Sequence, residues 1–239
     1  NVTGALITCQ TLVVAPYDST NIELNAGGGK LAEEFIKFDD NRNIGTGQST
    51  TQKMNEGDVL VLRGSGSLQD LSGTLIKSDK PILITSGMSE TAIPLNSPSQ
   101  SVITEMEFPT DAFGKHFFFT PLINKDSVSY FRAFASEDNT NVYRNGELMG
   151  NIKKGGGADF GESYIEFDTW RKSSNMKPAT ITSDKPIGLM YYNKFESRSN
   201  TINIYHRDAH MLQIPSIEQG VNSAIFANPH NHSEGEVLF

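Results

Sequence analysis

A chain of 239 residues, 37% hydrophobic and 20% charged, is globular in composition and long enough for one large β domain or two smaller ones. Its formal net charge of −8 argues against a nucleic-acid partner, and no apolar run approaches the roughly 18 residues that span a bilayer. The single cysteine, Cys9, excludes an internal disulfide and any completed Cys-based zinc site.

The first strand signal is ALITCQTLVVA, where Cys9 reads as a small buried hydrophobe. VVAPYDSTNIELNAGGG, Val13 to Gly29, then gives two β-rich runs about a turn rich in Asp, Ser and Thr. KLAEEFIKF, Lys30 to Phe38, reads as a short helix, and KFDDNRNIGTGQST as an inserted loop. VLVLRG and SGTLIKSDKPILITSG carry further strands, with Ser78-Asp79-Lys80-Pro81 as a turn: Ser and Asp bond nearby backbone, and proline holds the preceding residue extended. In the second half strands are predicted at FFFTPL, YFRAFAS, NVYRN, ELMGNI, YIEFD, ATIT, IGLMYYN and TINIYH, with turns at EDNT, NGE, GGGADFGE and SDKP. Within SYFRAFA one face carries Tyr130, Arg132 and Phe134 and the other Phe131 and Ala133, the pattern of a strand covered on both sides.

Two copies of one pattern underlie this list: Ala-x-x-Asp-x-Thr-Asn-apolar, a Gly-rich turn, a strand, then Ser-Asp-Lys-Pro-Ile. Asp18 and Thr20 match Asp138 and Thr140 at a spacing of 120, while Ser78, Asp79 and Pro81 match Ser183, Asp184 and Pro186 at a spacing of 105. EMEFPTDAFGKHFFFTPL resembles HMLQIPSIEQGVNSAIFANP, so a third copy starts near Met211. The expected fold is all-β: tandem jelly-roll-like sandwich units of about 105 residues packed together, or a propeller with two blades per repeat. The units are placed at 1–104, 105–210 and 211–239, the last incomplete. A start without Met fits a processed or excised segment.

The set FGKHFFFTP, RAFASEDNTNVYRNGE and ATITSDKPIGLMYYN resembles the N-terminal domain of the IgGFc-binding protein family, over about Val13 to Met211 and more weakly to the end. The resemblance implies a secreted or cell-surface protein of mucus, matrices or adhesive multidomain chains, with no catalytic activity. A single Cys separates the chain from the cysteine-rich vertebrate members.

Candidate sites follow from the residues. Asp39, Asp40 and Asn41 gather oxygens suited to calcium, the one cofactor considered. Trp170, Tyr191 and Tyr192 could make an aromatic platform for a glycan or protein, against the alternative that a sandwich buries them. Recurrence in both copies gives Asp18, Thr20, Ser78, Asp79, Pro81, Asp138, Thr140, Ser183, Asp184 and Pro186 structural turn roles. His206 and His210 follow a strand, so their spacing of four does not make a metal pair, and His116 reads as a satisfied polar residue of a buried strand. Asn1 and Asn231 fit a glycosylation sequon. No Gly-x-Ser-x-Gly elbow or phosphate loop is found, which leaves a hydrolase as the weakest reading. The expected function is a non-enzymatic extracellular module for adhesion or matrix building, with self-assembly through shared strands and a protein or glycan partner, and a lectin-like domain as the rival.

Overall fold

A computed structural model describes residues 8–27, 35–38, 42–64, 70–91, 93, 101–120, 129–155, 164–168, 178–193, 196–199, 204–207 and 209–223. Within them the chain is all-β with antiparallel strand pairing, and the only helical segments are two 3-10 turns, Thr110–Ala112 and Ile217–Gln219.

Nine strands form the first group: β1 (Cys9–Val14), β2 (Thr20–Asn25), β3 (Phe35–Phe38), β4 (Asn43–Gly45), β5 (Ser49–Met54), β6 (Val59–Gly64), β7 (Leu75–Ser78), β8 (Leu83–Thr91) and β9 (Ser101–Met106). A six-stranded sheet ordered β4-β3-β6-β1-β8-β9 faces a three-stranded sheet ordered β5-β2-β7. Strand periodicity fills the space between them: Thr20, Ile22 and Leu24 of β2 point inward while Asn21 and Glu23 point out. Ile22, Leu24 and Met54 meet Val13, Ile36 and Leu62 of the opposite sheet in one core, against which Cys9 packs half-buried.

The second group is β10 (Gly114–Phe119), β11 (Ser129–Ala135), β12 (Thr140–Arg144), β13 (Glu147–Ile152), β14 (Tyr164–Asp168), β15 (Ala179–Asn193), β16 (Glu196–Ser199), β17 (Ile204–Arg207) and β18 (His210–Ile214). The long β15 belongs to both walls of this unit. Its first half, through Ser183, pairs with β10 and β12, and its second half, from Ile187, pairs with β11 and β18. Phe117, Phe119, Val142 and Ile181 from one wall interlock with Phe131, Ala133, Leu189 and Tyr191 from the other. Phe119 and Phe131 meet edge to face at 4.8 Å between ring centroids, and Tyr191 lies 5.1 and 5.4 Å from the two.

The duplication holds at the level of register. Val13 opposite Ile84 and Leu60 becomes Ala133 opposite Leu189 and Ile165, and Ile22 opposite Ser78 becomes Val142 opposite Ser183. The orders β6-β1-β8 and β14-β11-β15 join strands far apart in the chain. A propeller blade is a meander of consecutive strands, so facing sheets, the sandwich arrangement, describe the fold.

Three sequence expectations change. Phe35–Phe38 is strand β3, not the end of a helix, because Ile36 and Phe38 are buried at period two and pair with β6; Lys30 to Glu34 lie outside the described residues. The inserted KFDDNRNIGTGQST is not simply a loop: β4 and the start of β5 lie in it, and the β3–β4 hairpin widens the six-stranded sheet. The corresponding place in the second unit is a two-residue turn, Asn145-Gly146, with φ of 49° and 84°. Ser-Asp-Lys-Pro is not a turn between strands in the second copy, since β15 runs through it unbroken; in both copies the segment carries the chain from one wall to the other. β9 pairs with β8 across residue 104, which keeps the strand with the first group.

The two units touch. Ile103 packs with Met190, Ala209 and Met211, joined by Met88, Ile93, Phe134 and Tyr192. The second face of β11, read from sequence as covered, is covered here by the first unit.

Candidate functional site

The repeated motif builds the same clamp twice. Thr20 donates its hydroxyl to the Tyr17 carbonyl at 2.7 Å, as Thr140 does to Glu137, closing the turn before β2 and β12. Ser19 and Asn139, at the tip of each turn, take φ of 53° and 54°. Asp18 accepts the N–H of Glu56 at 3.1 Å, and Asp138 that of Lys154 at 3.0 Å. Asp79 accepts the backbone N–H of Asn21 at 2.8 Å and its side-chain amide at 2.6 Å; Asp184 does the same with Asn141, at 2.8 Å for both. Lys80 and Lys185 donate to the carbonyls of Asp18 and Asp138.

Each clamp therefore ties the wall-crossing segment to the turn before the neighbouring strand, β2 or β12. The bonds from Asn21 hold the Asp79 carboxyl below its ordinary value. At Asp184 slight burial pushes upward, and the bonds from Asn141 outweigh it. Ser183 donates to the Lys185 carbonyl at 2.6 Å, and Pro186, which has no N–H to pair, offers its carbonyl to Ser136. Ser78 sits opposite Ile22 and Pro81 is exposed in the segment that leaves β7.

At the junction of the units stands Arg132. It donates to Asp70 at 2.6 Å and Ser72 at 3.0 Å, both from the segment between β6 and β7 of the first unit. The guanidinium lies 5.0 Å from the Tyr164 ring centroid and 5.5 Å from that of Tyr192. Burial alone would raise the Asp70 carboxyl, but the Arg132 charge and the Ser72 bonds outweigh it and hold it low. Nearby, Gln213 accepts the Phe108 N–H at 2.6 Å and Ser101 that of Ala209 at 3.2 Å. These groups are structural in chemistry: a charge pair with a cation–π lid, all of whose partners belong to the chain. Sequence reading placed Arg132 on the right face of β11 but not its partner, because Asp70 lies 62 residues away with no local signal.

His116 is satisfied as expected, but at an exposed position. Alternation turns Phe117 and Phe119 inward and leaves His116 exposed, where its Nδ1 meets Glu218 at 2.6 Å. Glu218 also accepts the N–H groups of Lys115 and His116. Slight burial works against ionisation, yet these bonds bring the Glu218 carboxyl down to about 2.

The predicted ligand residues do not form one site. Tyr191 is 2% exposed in the aromatic core, so its ring offers no surface platform. Tyr192 is half-buried at the unit junction under Arg132. Trp170 and the trio Asp39, Asp40 and Asn41 lie outside the described residues, as do Asn1 and Asn231. Among the described residues no three His, Cys, Asp or Glu side chains gather as a metal site would require.

The family model described as IgGFc binding protein matches residues 3–238. No curated protein and no solved structure matches the chain.

Proposed function

Because this chain belongs to the IgGFc binding protein family, we propose that it is an extracellular or cell-surface module that binds protein partners, serving adhesion or the building of a surface or matrix assembly. One observation carries the reading beyond the family match: the recurring polar residues are consumed in holding the fold. Asp18, Thr20, Asp79 and their copies point their hydrogen bonds at their own backbone. A repeated scaffold whose polar motif is bonded to its own chain leaves recognition to loops, sheet faces and strand edges, the surfaces by which tandem β modules bind. β7 contributes one such edge, since β2 is its one partner among the described residues. No catalytic step is part of this proposal.

The test is surface plasmon resonance of the full chain against a panel of purified matrix and mucus proteins and an Fc fragment, alongside a glycan array with and without calcium. Saturable binding to a protein supports the reading. Binding to glycans alone transfers the chain to the lectin class, and no binding to the protein panel at near-millimolar chain overturns the proposal.

A further inference from the structure

The outer face of the first unit's large sheet is apolar and bare. Val59, Val14 and Leu83 stand side by side across β6, β1 and β8, and the next row is Val61, Leu12, Thr85 and Met106. Val59 is 55% and Met106 53% exposed. Arg63, Gln10 and Thr104 form the row beyond, with Lys37 next to Arg63, a polar rim to an apolar centre.

The second unit shows what such a face is for. Equivalent positions there are Tyr164, Phe134 and Gly188 in the first row and Arg132, Met190 and Gln213 in the second. Tyr164 is 4% and Gln213 6% exposed: the Arg132 guanidinium lies over the first, and the second accepts the Phe108 N–H that follows β9. Asp70 and Ser72 meet Arg132, and Ile103 meets Met190. Phe113, just past the 3-10 turn that follows β9, covers Gly188, where an added Cβ would come within 2.6 Å of its ring. Both units have the face, and among the described residues Leu12, Val59, Leu83 and Met106 of the first remain exposed.

The covering elements also recur. β18 is followed by a proline and a second 3-10 turn, as β9 is, and around that turn Ile217 and Val221 are 61% and 75% exposed. By the 105-residue spacing Asp70 corresponds to Asn175, and Arg132 corresponds to Leu12 by the 120-residue spacing, so both members of the ion pair are replaced together by uncharged residues. The bare face therefore presents no charge at the position that Arg132 holds in the second unit. Gly220 follows the second 3-10 turn as Phe113 follows the first, with Val221 next to it, and β7 has the edge that β10 occupies on β15 in the other unit.

We propose that the face formed by Leu12, Val14, Val59, Leu83 and Met106 docks the second unit of another copy of this chain, through the end that carries Ile217 and Val221. The contact repeats between chains the packing that joins the two units within one chain. It joins unlike surfaces, so each added chain brings one free face or tip that can take the next. This deepens the binding role proposed above and rests on it, but its readout is self-association of purified protein, so an empty matrix panel and a failure to self-associate are separate results.

Sedimentation velocity of the full chain from micromolar to near-millimolar concentration tests it, with folding of each variant checked by circular dichroism. The parent is expected to give a concentration-dependent ladder of species. Val59→Lys with Leu83→Lys blocks the face and Val221→Lys blocks the tip, each weakening association at least about tenfold, while Leu148→Lys, an exposed apolar residue of β13, leaves it unchanged. An equimolar mixture of the face variant and the tip variant holds one intact face and one intact tip, and gives a dimer that grows no further. A parent that stays monomeric throughout, a mixture with no dimer, or a Leu148→Lys variant as impaired as the face variant overturns the proposal.

Discussion

Asp79 accepts both the backbone N–H and the side-chain amide of Asn21, 58 residues before it, and Asp184 takes the same two donors from Asn141. One carboxylate thus joins the start of the segment that changes walls to the first residues of the neighbouring strand, β2 or β12. Asp79→Ala and Asp184→Ala are each expected to lower the melting temperature, since the Asn N–H loses its acceptor and the crossing loses its anchor. The sign with pH follows from the shift. Each folded carboxyl titrates below its ordinary value of 3.8, so its stabilisation is present above that value and drains away as pH falls through the lower folded value. Thermal unfolding across the acid range should therefore show a shallower decline in Asp79→Ala than in the parent. Parallel declines would mean that the bond carries no net stability.

Arg132 and Asp70 are 22% and 27% exposed and belong to different units. Removing either takes from the other its 2.6 Å charged hydrogen bond at a partly buried position, an effect of about 1 to 3 kcal/mol. Arg132→Met and Asp70→Asn should each destabilise by that amount, and the double variant by less than the sum of the two. Guanidinium unfolding of the three proteins gives the coupling. Full additivity would show that the guanidinium is held by the rings of Tyr164 and Tyr192 and not by Asp70.

The repeat was legible in sequence because the clamp needs particular side chains at particular places: a carboxylate at 79 and 184, a hydroxyl at 20 and 140, a positive-φ residue at 19 and 139. Alternation in SYFRAFA announced a strand covered on both faces. What covers it was not legible, because the Arg132–Asp70 pair and the Ile103–Met190 contact depend on how the units meet, which no local pattern encodes. β3 was misread as helix for a related reason: over four residues, Phe35 to Phe38, a period of two cannot be told from 3.6, and the neighbouring Lys-Leu-Ala-Glu-Glu favours helix by propensity. Tyr191 and Tyr192 stayed open between platform and core because an aromatic pair in a strand gives no sign of which ring faces the core.

Glu218 links the 3-10 turn after β18 to the first residues of β10, accepting from His116, Lys115 and the His116 backbone. With its carboxyl at about 2 against an ordinary 4.5, the contact stabilises the fold above the higher value and is lost as pH falls through the lower one. Much of the pair is open to water, so salt should weaken it. Glu218→Gln is expected to remove part of the acid-side loss of stability, with the difference from the parent shrinking at high ionic strength. Chemical-shift titration of the Glu218 side chain checks the premise directly: a midpoint near 4.5 would show that the contact does not form in solution.

Gly73 stands between two other glycines, Gly27 of its own unit and Gly155 of the second. A Cβ on Gly27 would lie 2.2 Å from the Gly73 carbonyl carbon and 2.4 Å from the Thr74 nitrogen, and one on Gly155 would lie 2.9 Å from the Gly73 oxygen. The obstructing atoms are backbone, which cannot swing aside as a side-chain end would. Gly27→Ala should therefore cost about 1 to 3 kcal/mol by overpacking and disturb the bond from its N–H to Thr74. Gly155→Ala strains the seam between units, so it should raise hydrogen exchange at Met190 and Met211 more than in the core around Ile22 and Leu24. Gly57→Ala is the comparison, because at φ of 84° it meets no atom within 4 Å and carries only the strain of a Cβ on left-handed backbone, about 1 to 2 kcal/mol. If Gly155→Ala loosened both units equally, the seam would have to be counted as part of one continuous core, and the two sandwiches could not be treated as bodies that dock.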